Sequence, residues 1–183
     1  YHVGKFIFIS TDKAINPSSI MGATKLIGEK YIVALSKCSI SKTKFIINRF
    51  GNILESNGSV VPLFRKQIKL NKIVTVTDEK ATRFFMSISQ AIELIFESLK
   101  IGKGGEVFVF DMGAAKNIFN LATETIKSEG YLPHEDVKIK FTGLRPGEKL
   151  HEKYLENNIS LSKTEHPKIY KSKLNANFDL VKL

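Results

Sequence analysis

Three consecutive polar residues, Thr11, Asp12 and Lys13, follow closely on the apolar run F-I-F-I at residues 6–9. A short apolar run that ends in polar residues predicts a buried strand, and the helical pattern that opens near Ser18 predicts a crossover helix. In open α/β sheets, ligands bind outside the carboxyl ends of the strands. A hydroxyl, a carboxylate and an amine at such an end can supply the acid, the base and the hydrogen-bond donor of a proton-transfer reaction.

The predicted crossover helix adds a second amine to this group. Met21 and Lys25 are four residues apart, so they lie on one helix face. If that face looks back at the strand end, Lys25 joins Thr11, Asp12 and Lys13. For Met21 the ordinary alternative is a core residue, because methionine is most often an apolar packing residue.

Further polar residues follow or precede apolar segments downstream. Asn52 follows the strand predicted at residues 44–50, and Arg83 directly precedes the apolar F-F-M. Arg83 favours a diphosphate contact, because guanidinium groups match phosphate geometry. In G-L-R-P-G-E-K-L at residues 143–150, two glycines bracket Arg145 and a helix is predicted from Glu148. The alternative for Asn52 is a satisfied turn or core amide, and for Arg83 it is a solvated side chain. For the octapeptide with Arg145 and Glu148 the alternative is a turn with a charged tip.

Composition limits the possible classes of protein. The 183 residues are 43% apolar and 25% charged, as in ordinary globular domains, and the formal net charge is +10. That charge favours anionic partners, but the lysines are scattered and no basic stripe is interleaved with aromatic residues, so nucleic acid is not expected. One cysteine, Cys38, excludes an internal disulfide and shows no metal-ligand spacing. No apolar run reaches the ~18–20 residues of a membrane span.

The segment S-T-D-K-A-I-N-P-S-S-I-M-G-A-T-K at residues 10–25 resembles the active-site segment of the extended short-chain dehydrogenase/reductases. It is most similar to the nucleotide-sugar 4,6-dehydratases of bacterial polysaccharide and glycan biosynthesis. Met21 stands where most members have the tyrosine of Tyr-x-x-x-Lys, which resembles the configuration-retaining UDP-N-acetylglucosamine 4,6-dehydratases. R-F-G-N at residues 49–52, T-R-F-F-M at 82–86 and G-L-R-P-G-E-K-L match in the same order. The resemblance extends to about Tyr170.

This resemblance implies an NAD-dependent internal redox elimination that removes water from a UDP-sugar and yields a 4-keto-6-deoxy sugar nucleotide. It implies that Asp12 is the acid for the leaving hydroxyl and that Lys13 is the base for carbon 5. Thr11 would contact the 4-hydroxyl, and Thr11 and Lys25 would contact the cofactor. With Met21 in the tyrosine position, the base for the 4-hydroxyl stays open between Asp12 acting twice and a water molecule.

The resemblance also implies the substrate contacts. Asn52 would contact the sugar–phosphate, Arg83 and Arg145 the diphosphate, and Glu148 the ribose hydroxyls. One departure is visible, since Glu55 stands where the family usually has glycine. If that position needs a positive φ, a residue with a Cβ is strained there.

The implied fold is α/β: the C-terminal part of a Rossmann-like, doubly wound parallel sheet with a small α/β substrate-binding subdomain. Residues 1–59 are expected to carry part of the NAD-binding domain and the active-site segment, and residues 60–159 the substrate-binding region with interleaved Rossmann elements. Residues 160–183 are expected to be a poorly ordered tail. The chain has no G-x-G-x-x-G turn for a dinucleotide pyrophosphate.

We therefore expect this chain to be a C-terminal fragment of a longer protein and to have the N-terminal half of that protein as a partner. Association with further copies of the same chain is also expected. A cytoplasmic location, or the inner membrane face for the intact protein, is expected. The isolated chain is expected to be inactive.

Two alternatives remain beside the dehydratase. The first is a sugar epimerase or reductase of the same superfamily, against which Asp12 and Lys13 argue, because an epimerase needs no elimination acid and base there. The second is a non-catalytic, nucleotide-sugar-binding remnant.

Overall fold

A computed structural model describes residues 3–37, 42–56, 58–153 and 161–174, so Cys38 lies outside the described residues. The helices are α1 (Ile20–Ser36), α2 (Val60–Asn71), α3 (Ile88–Ile101) and α4 (Ile118–Ser128). The strands are β1 (Lys5–Thr11), β2 (Lys44–Phe50), β3 (Asn52–Ile53), β4 (Ile73–Val76), β5 (Thr82–Arg83), β6 (Phe85–Met86), β7 (Glu106–Phe110), β8 (Lys116–Asn117), β9 (Lys138–Phe141), β10 (Ser162–Lys163) and β11 (Ile169–Ser172). Apolar periodicity and turn residues predict helices at residues 18–36, 60–70, 87–99 and 117–127, and strands at residues 6–9, 44–50, 73–76, 106–110 and 137–141. Each of these elements begins and ends within two residues of its predicted bounds.

The described chain forms two compact units, and the first contains Tyr1–Phe50, Ser89–Asp111 and Lys153–Leu183. Its five-stranded sheet has the order β1-β2-β7-β11-β10. The strands β1, β2 and β7 are parallel, whereas β11 pairs antiparallel with β7, and β10 antiparallel with β11. The predicted parallel α/β sheet is therefore confirmed, with an antiparallel pair added at one side.

Helices cover both faces of this sheet. Arg49 and Asn48 are adjacent in β2, so their side chains point to opposite faces. Arg49 contacts Glu29 of α1, and Asn48 donates to Ser98 of α3. The doubly wound arrangement follows, because α1 and α3 pack on opposite sides of the same strand.

The tail is more ordered than expected. Residues 160–183 were expected to lack regular structure, yet β11 pairs with β7 over four residues, and Ile169 is fully buried. The prediction is wrong for residues 161–174, because main-chain pairing and the burial of Ile169 outweigh a lysine-rich composition. Residues 160 and 175–183 lie outside the described residues.

The second unit contains Gly51–Ile88 and Met112–Glu152. Its strands form three two-stranded sheets, β3-β6, β4-β9 and β5-β8, and its core joins α2, α4 and β4 through Phe64, Ile68, Val74 and Ile126. The boundary thus lies at Gly51 rather than after residue 59. The helix predicted from Glu148 is absent through Lys153, where Leu150 and His151 instead run alongside β5.

Candidate functional site

The three polar residues at the end of β1 are in direct contact with one another. Asp12 begins a single 3₁₀ turn, Asp12–Ala14. Its Oδ1 accepts a hydrogen bond from Thr11 Oγ1 at 2.9 Å and lies 3.0 Å from Lys13 Nζ. The Asp12 side chain is 1% exposed and that of Lys13 is 27% exposed. The Thr11 hydroxyl and the Lys13 amine therefore both contact the same oxygen atom of the Asp12 carboxylate, at the carboxyl end of a parallel strand.

The second carboxylate oxygen of Asp12 faces no protein donor. Asp12 Oδ2 is buried and has no hydrogen-bond partner among the described residues. Buried polar atoms in native proteins are almost always paired, so each unpaired one calls for an explanation. A carboxylate with one oxygen held and the other unsatisfied can exchange a proton with a ligand that completes the site.

Helix α1 starts next to this cluster. Ser19 caps it by accepting from the Gly22 N–H at 3.2 Å. Gly22 permits the close approach, since a Cβ there would overlap the Lys13 carbonyl oxygen. Met21, in the first turn, is 47% exposed, so packing in a core does not explain it. The helix N-terminus is thus held against the turn that carries Asp12.

Lys25 reaches the same strand. Its Nζ donates to the Ile9 carbonyl oxygen at 2.9 Å and lies 5.1 Å from the centre of the Phe8 ring. An ammonium has three donors, and this bond uses one of them. Lys25 is therefore anchored two residues before Thr11, with donors and a positive charge left for a ligand.

A buried charged cluster that the sequence analysis missed fixes α1 to β1 and β2. Glu29 and Arg49 form a bidentate pair, with Nε–Oε1 at 2.8 Å and Nη2–Oε2 at 2.6 Å. Ser10 donates to Glu29 Oε1 at 2.6 Å, and all three residues are buried. Glu29 continues the four-residue spacing of Met21 and Lys25, which was the available signal. The face that carries Lys25 is therefore tied to the strands on which the cluster sits.

The second unit contains a second group of predicted site residues, centred on Arg83. Arg83 Nη2 lies 2.6 Å from Glu148 Oε1, and its Nε lies 3.4 Å from Glu152 Oε1. Its Nη1 donates to the carbonyl oxygens of Thr82 and Leu150 at 2.8 Å and 3.1 Å. Almost every donor of this guanidinium is thus occupied by protein oxygen atoms.

Glu148 connects the octapeptide 143–150 to Arg83. Its Oε1 also accepts from Thr77 Oγ1 at 2.9 Å, and its Oε2 accepts from the Arg145 N–H at 3.2 Å. Gly143 and Gly147 take φ values of 79° and 78°, which only glycine adopts without strain. The two glycines let the chain fold so that the Glu148 carboxylate faces Arg83, while the Arg145 side chain is exposed.

Glu152 was not predicted, and it joins two residues that were. Its Oε2 accepts from Asn52 Nδ2 at 3.2 Å, while its Oε1 faces Arg83 Nε. Asn52 Nδ2 also donates to the Phe84 carbonyl oxygen at 3.0 Å, beside the β3-β6 pairing. The structure thus brings Asn52, Arg83 and Glu148 into one network, which we call the carboxylate–arginine network: Asn52, Thr77, Arg83, Glu148 and Glu152.

The backbone at Glu55 has the positive φ that the sequence analysis gave as the condition for strain at this position. Glu55 has a φ of 61°, in the left-handed region. Its carboxylate lies 3.1 Å from Arg65 Nη1, at an exposed pair. Glu55 therefore adopts the conformation for which glycine is suited.

The described residues fit one part of a nicotinamide cofactor. The free donors of Lys25 and the hydroxyl of Thr11 suit a ribose diol.

Within residues 3–37, 42–56, 58–153 and 161–174, no group of acidic, histidine or cysteine side chains is arranged to hold a metal ion. Over the same ranges no helix is long and apolar enough to cross a membrane.

Comparisons with known proteins agree with these motifs. The family model described as "Polysaccharide biosynthesis protein" matches residues 1–174. The capsular polysaccharide biosynthesis protein CapD of Staphylococcus aureus is 48% identical over 172 residues, which is 94% of this chain and 28% of CapD. A UDP-N-acetylglucosamine 4,6-dehydratase (inverting) of Campylobacter jejuni is 38% identical over 86% of this chain and 45% of its own length. A UDP-glucose 4-epimerase of Rickettsia bellii is also 38% identical, over 89% of this chain and 46% of its own length.

The fold is shared with a solved structure as well. The X-ray structure of Pen from Bacillus thuringiensis superposes with a TM-score of 0.85 at 36% identity, covering 96% of this chain and 54% of Pen. The chain thus spans between about a quarter and a half of the length of these relatives. Because the family model matches nearly the whole chain, this protein belongs to the polysaccharide biosynthesis protein family.

Proposed function

We propose that this chain is the catalytic and substrate-binding portion of an NAD-dependent nucleotide-sugar 4,6-dehydratase, with a UDP-N-acetylhexosamine as substrate. The observation that carries the proposal is the shared Asp12 Oδ1, which contacts Thr11 Oγ1 at 2.9 Å and Lys13 Nζ at 3.0 Å while Oδ2 has no partner. Elimination of water next to a ketone needs one acid and one base on neighbouring carbons, and this pair provides them side by side.

Met21 takes the tyrosine position, so another group must deprotonate the sugar 4-hydroxyl. The Thr11–Asp12 hydrogen bond favours Asp12 as that base. Thr11 Oγ1 donates to Asp12 Oδ1, so it can pass the proton of the sugar 4-hydroxyl to the carboxylate. Bound NAD would supply the hydride acceptor for carbon 4 and the hydride donor for carbon 6. Asp12 then gives its proton to the leaving 6-hydroxyl, and the water that leaves carries the proton of the 4-hydroxyl. Asp12 thus acts twice and ends as a carboxylate.

Lys13 completes the proton balance at carbon 5. Acting as a base, it takes the carbon 5 proton during elimination and returns that proton once carbon 6 has received hydride. Its contact with Asp12 Oδ1 places the acid and the base side by side. Lys25 holds the nicotinamide ribose, and its charge stabilises the alkoxide that forms when the 4-hydroxyl is deprotonated.

The carboxylate–arginine network and the exposed Arg145 together bind the nucleotide part of the substrate in this proposal. Arg83 and Arg145 take the diphosphate, Glu148 the ribose hydroxyls and Asn52 the sugar–phosphate. The similarity to the Campylobacter dehydratase supports the reaction class, and the family model supports a role in polysaccharide biosynthesis. The formal net charge of +10 is consistent with an anionic substrate.

The test is product formation from UDP-N-acetylglucosamine and NAD, followed by mass spectrometry for the loss of one water. The 183-residue chain is assayed alone and together with a dinucleotide-binding N-terminal half taken from a longer relative. We expect water loss only in the second sample, and Asp12→Asn lowers kcat there by about 10²–10⁴-fold, as expected for loss of an acid–base group. Glu93→Gln, an exposed carboxylate on α3, is the matched control and keeps full activity.

Other outcomes separate the alternatives. A changed sugar configuration without loss of mass would indicate the epimerase, which the Rickettsia relative makes the second candidate. Nucleotide-sugar binding without any turnover would indicate a binding remnant. Turnover by the chain alone would show that NAD binds without a glycine-rich turn.

A further inference from the structure

We propose that Glu148 is a specificity-determining residue: its carboxylate occupies the place on Arg83 that a diphosphate oxygen takes, so the site selects ligands with both a diphosphate and a ribose diol. This inference rests on the proposed nucleotide-binding role of the network. The new element is a single exchange at Arg83: a diphosphate oxygen replaces the Glu148 carboxylate, and the released carboxylate binds the ribose hydroxyls.

The contacts of Arg83 show which of its edges can exchange partners. Nη1 is held by two main-chain carbonyl oxygens, and Nε faces Glu152, whose side chain is 6% exposed. Nη2 faces Glu148, whose side chain is 21% exposed. Glu148 is therefore the most accessible partner of Arg83, and the others hold the guanidinium in place while it is replaced.

The remaining contacts of Glu148 explain the selectivity. A phosphate oxygen that takes over Nη2 leaves Glu148 Oε1 with the Thr77 hydroxyl as its donor. A carboxylate that loses a charge-assisted hydrogen bond needs a new donor, or the exchange is unfavourable. A ribose provides two hydroxyl donors for it. A ligand with a diphosphate but no sugar displaces Glu148 without providing those donors, and so binds less tightly than a nucleotide.

The experiment measures the dissociation constants of pyrophosphate and UDP for the full 183-residue chain by isothermal titration calorimetry at constant ionic strength. In Glu148→Gln we expect pyrophosphate to bind about tenfold more tightly, because no charge competes for Arg83, and UDP to bind more weakly. A purely structural role of Glu148 would change both constants in the same direction. Circular dichroism and thermal unfolding verify that each variant is folded.

Two more variants make the result specific to the exchange. Thr77→Val removes the donor that stays on Glu148 Oε1 after the exchange, so the displaced carboxylate is less stable and pyrophosphate should bind roughly two- to fivefold more weakly. Glu152→Gln is the matched control, since it removes the same charge beside the same arginine from a site that does not exchange. We expect it not to tighten pyrophosphate binding.

The outcomes separate this inference from the proposed function. If pyrophosphate binds to the wild-type chain, is lost in Arg83→Gln, and is neither tightened by Glu148→Gln nor weakened by Thr77→Val, the exchange is wrong and the nucleotide site remains. Equal tightening by Glu148→Gln and Glu152→Gln also overturns it, because charge alone then explains the result. If the wild type binds neither pyrophosphate nor UDP, or if Arg83→Gln binds both as well as the wild type, the exchange and the proposed nucleotide site are both wrong.

Discussion

At the scale of single residues, the chemistry depends on one carboxylate and on its sequence neighbours. Asp12 is buried at the end of β1, with Thr11 and Lys13 on the same oxygen atom. Because the three residues are consecutive, a short turn is enough to bring them together. Met21 contributes no ionisable group, which is why the hydrogen bond from Thr11 to Asp12 matters for the proposed proton route.

Glu55 provides a residue-scale prediction about backbone strain. With a φ of 61°, this position disfavours any residue that has a Cβ. We expect Glu55→Gly to have a free energy of unfolding about 1 kcal/mol higher than Glu55→Ala, although both lose the contact with Arg65. Urea unfolding of the two variants measures the difference.

The matched comparison for this prediction is Lys66, an exposed residue inside α2. There Ala should be more stable than Gly by about 1 kcal/mol, the usual order for a helix interior. If Ala is also the more stable residue at position 55, the left-handed conformation does not strain the chain.

At the scale of elements, the position of α1 depends on the Ser10–Glu29–Arg49 cluster. The carboxylate–guanidinium pair connects the helix to β2, and Ser10 connects it to β1. Buried charges are stable only when they are paired, so the helix cannot move away from the strands without exposing both. Lys25 lies one turn before Glu29 and therefore keeps its contact with Ile9.

Substituting one member of the Glu29–Arg49 pair should lower the free energy of unfolding much more than replacing both members with apolar residues. Glu29→Gln or Arg49→Met alone should lower the free energy of unfolding by about 3–5 kcal/mol, because each leaves one buried group without its partner. The double variant Glu29→Met/Arg49→Met should recover at least half of the summed loss, as a double-mutant cycle by urea denaturation would show.

Glu97→Gln is the control for the buried pair. It removes a charge from the exposed Lys100–Glu97 pair, whose charged atoms are 3.8 Å apart. Its effect should stay within about 0.5 kcal/mol. Additive losses at Glu29 and Arg49 would contradict the view that the two charges stabilise α1 as a unit.

At the scale of the whole molecule, the first unit exposes apolar surface on three of its elements. In the described residues β1 pairs only with β2, and Phe6 and Ile9 on β1 are exposed. Ile27 on α1 is 57% exposed and Phe96 on α3 is 66% exposed. The apolar periodicity of α3 predicts that Ile88, Ile92 and Phe96 face inward, and this prediction is wrong, because α3 buries Ala91, Leu94 and Ser98 instead. Apolar surface of this kind favours association.

Charged substitutions on these helices should reduce self-association. We expect Ile27→Lys/Phe96→Lys to shift sedimentation-velocity profiles of concentrated protein towards the monomer, because the substituted side chains lie in water in the single chain. The free energy of unfolding should change by less than about 1 kcal/mol, since both positions are exposed.

Ile32→Lys, a buried position on the same helix α1, is the control for that experiment. It should destabilise the chain strongly, because it places a charge in the apolar cluster that contains Val33 and Ile47. If the double variant associates as strongly as the wild type, the exposed faces of α1 and α3 do not drive association.

Much of this protein follows from the sequence alone. Hydrophobic periodicity and turn residues are local properties, so they predicted the main helices and strands to within two residues. The contact of Thr11, Asp12 and Lys13 also follows from their order along the chain. The tertiary structure decided what depends on distant segments, such as the Asn52–Glu152 contact across 100 residues, the pairing of β11 with β7 and the buried face of α3. These depend on the packing of the whole unit, which no local pattern encodes.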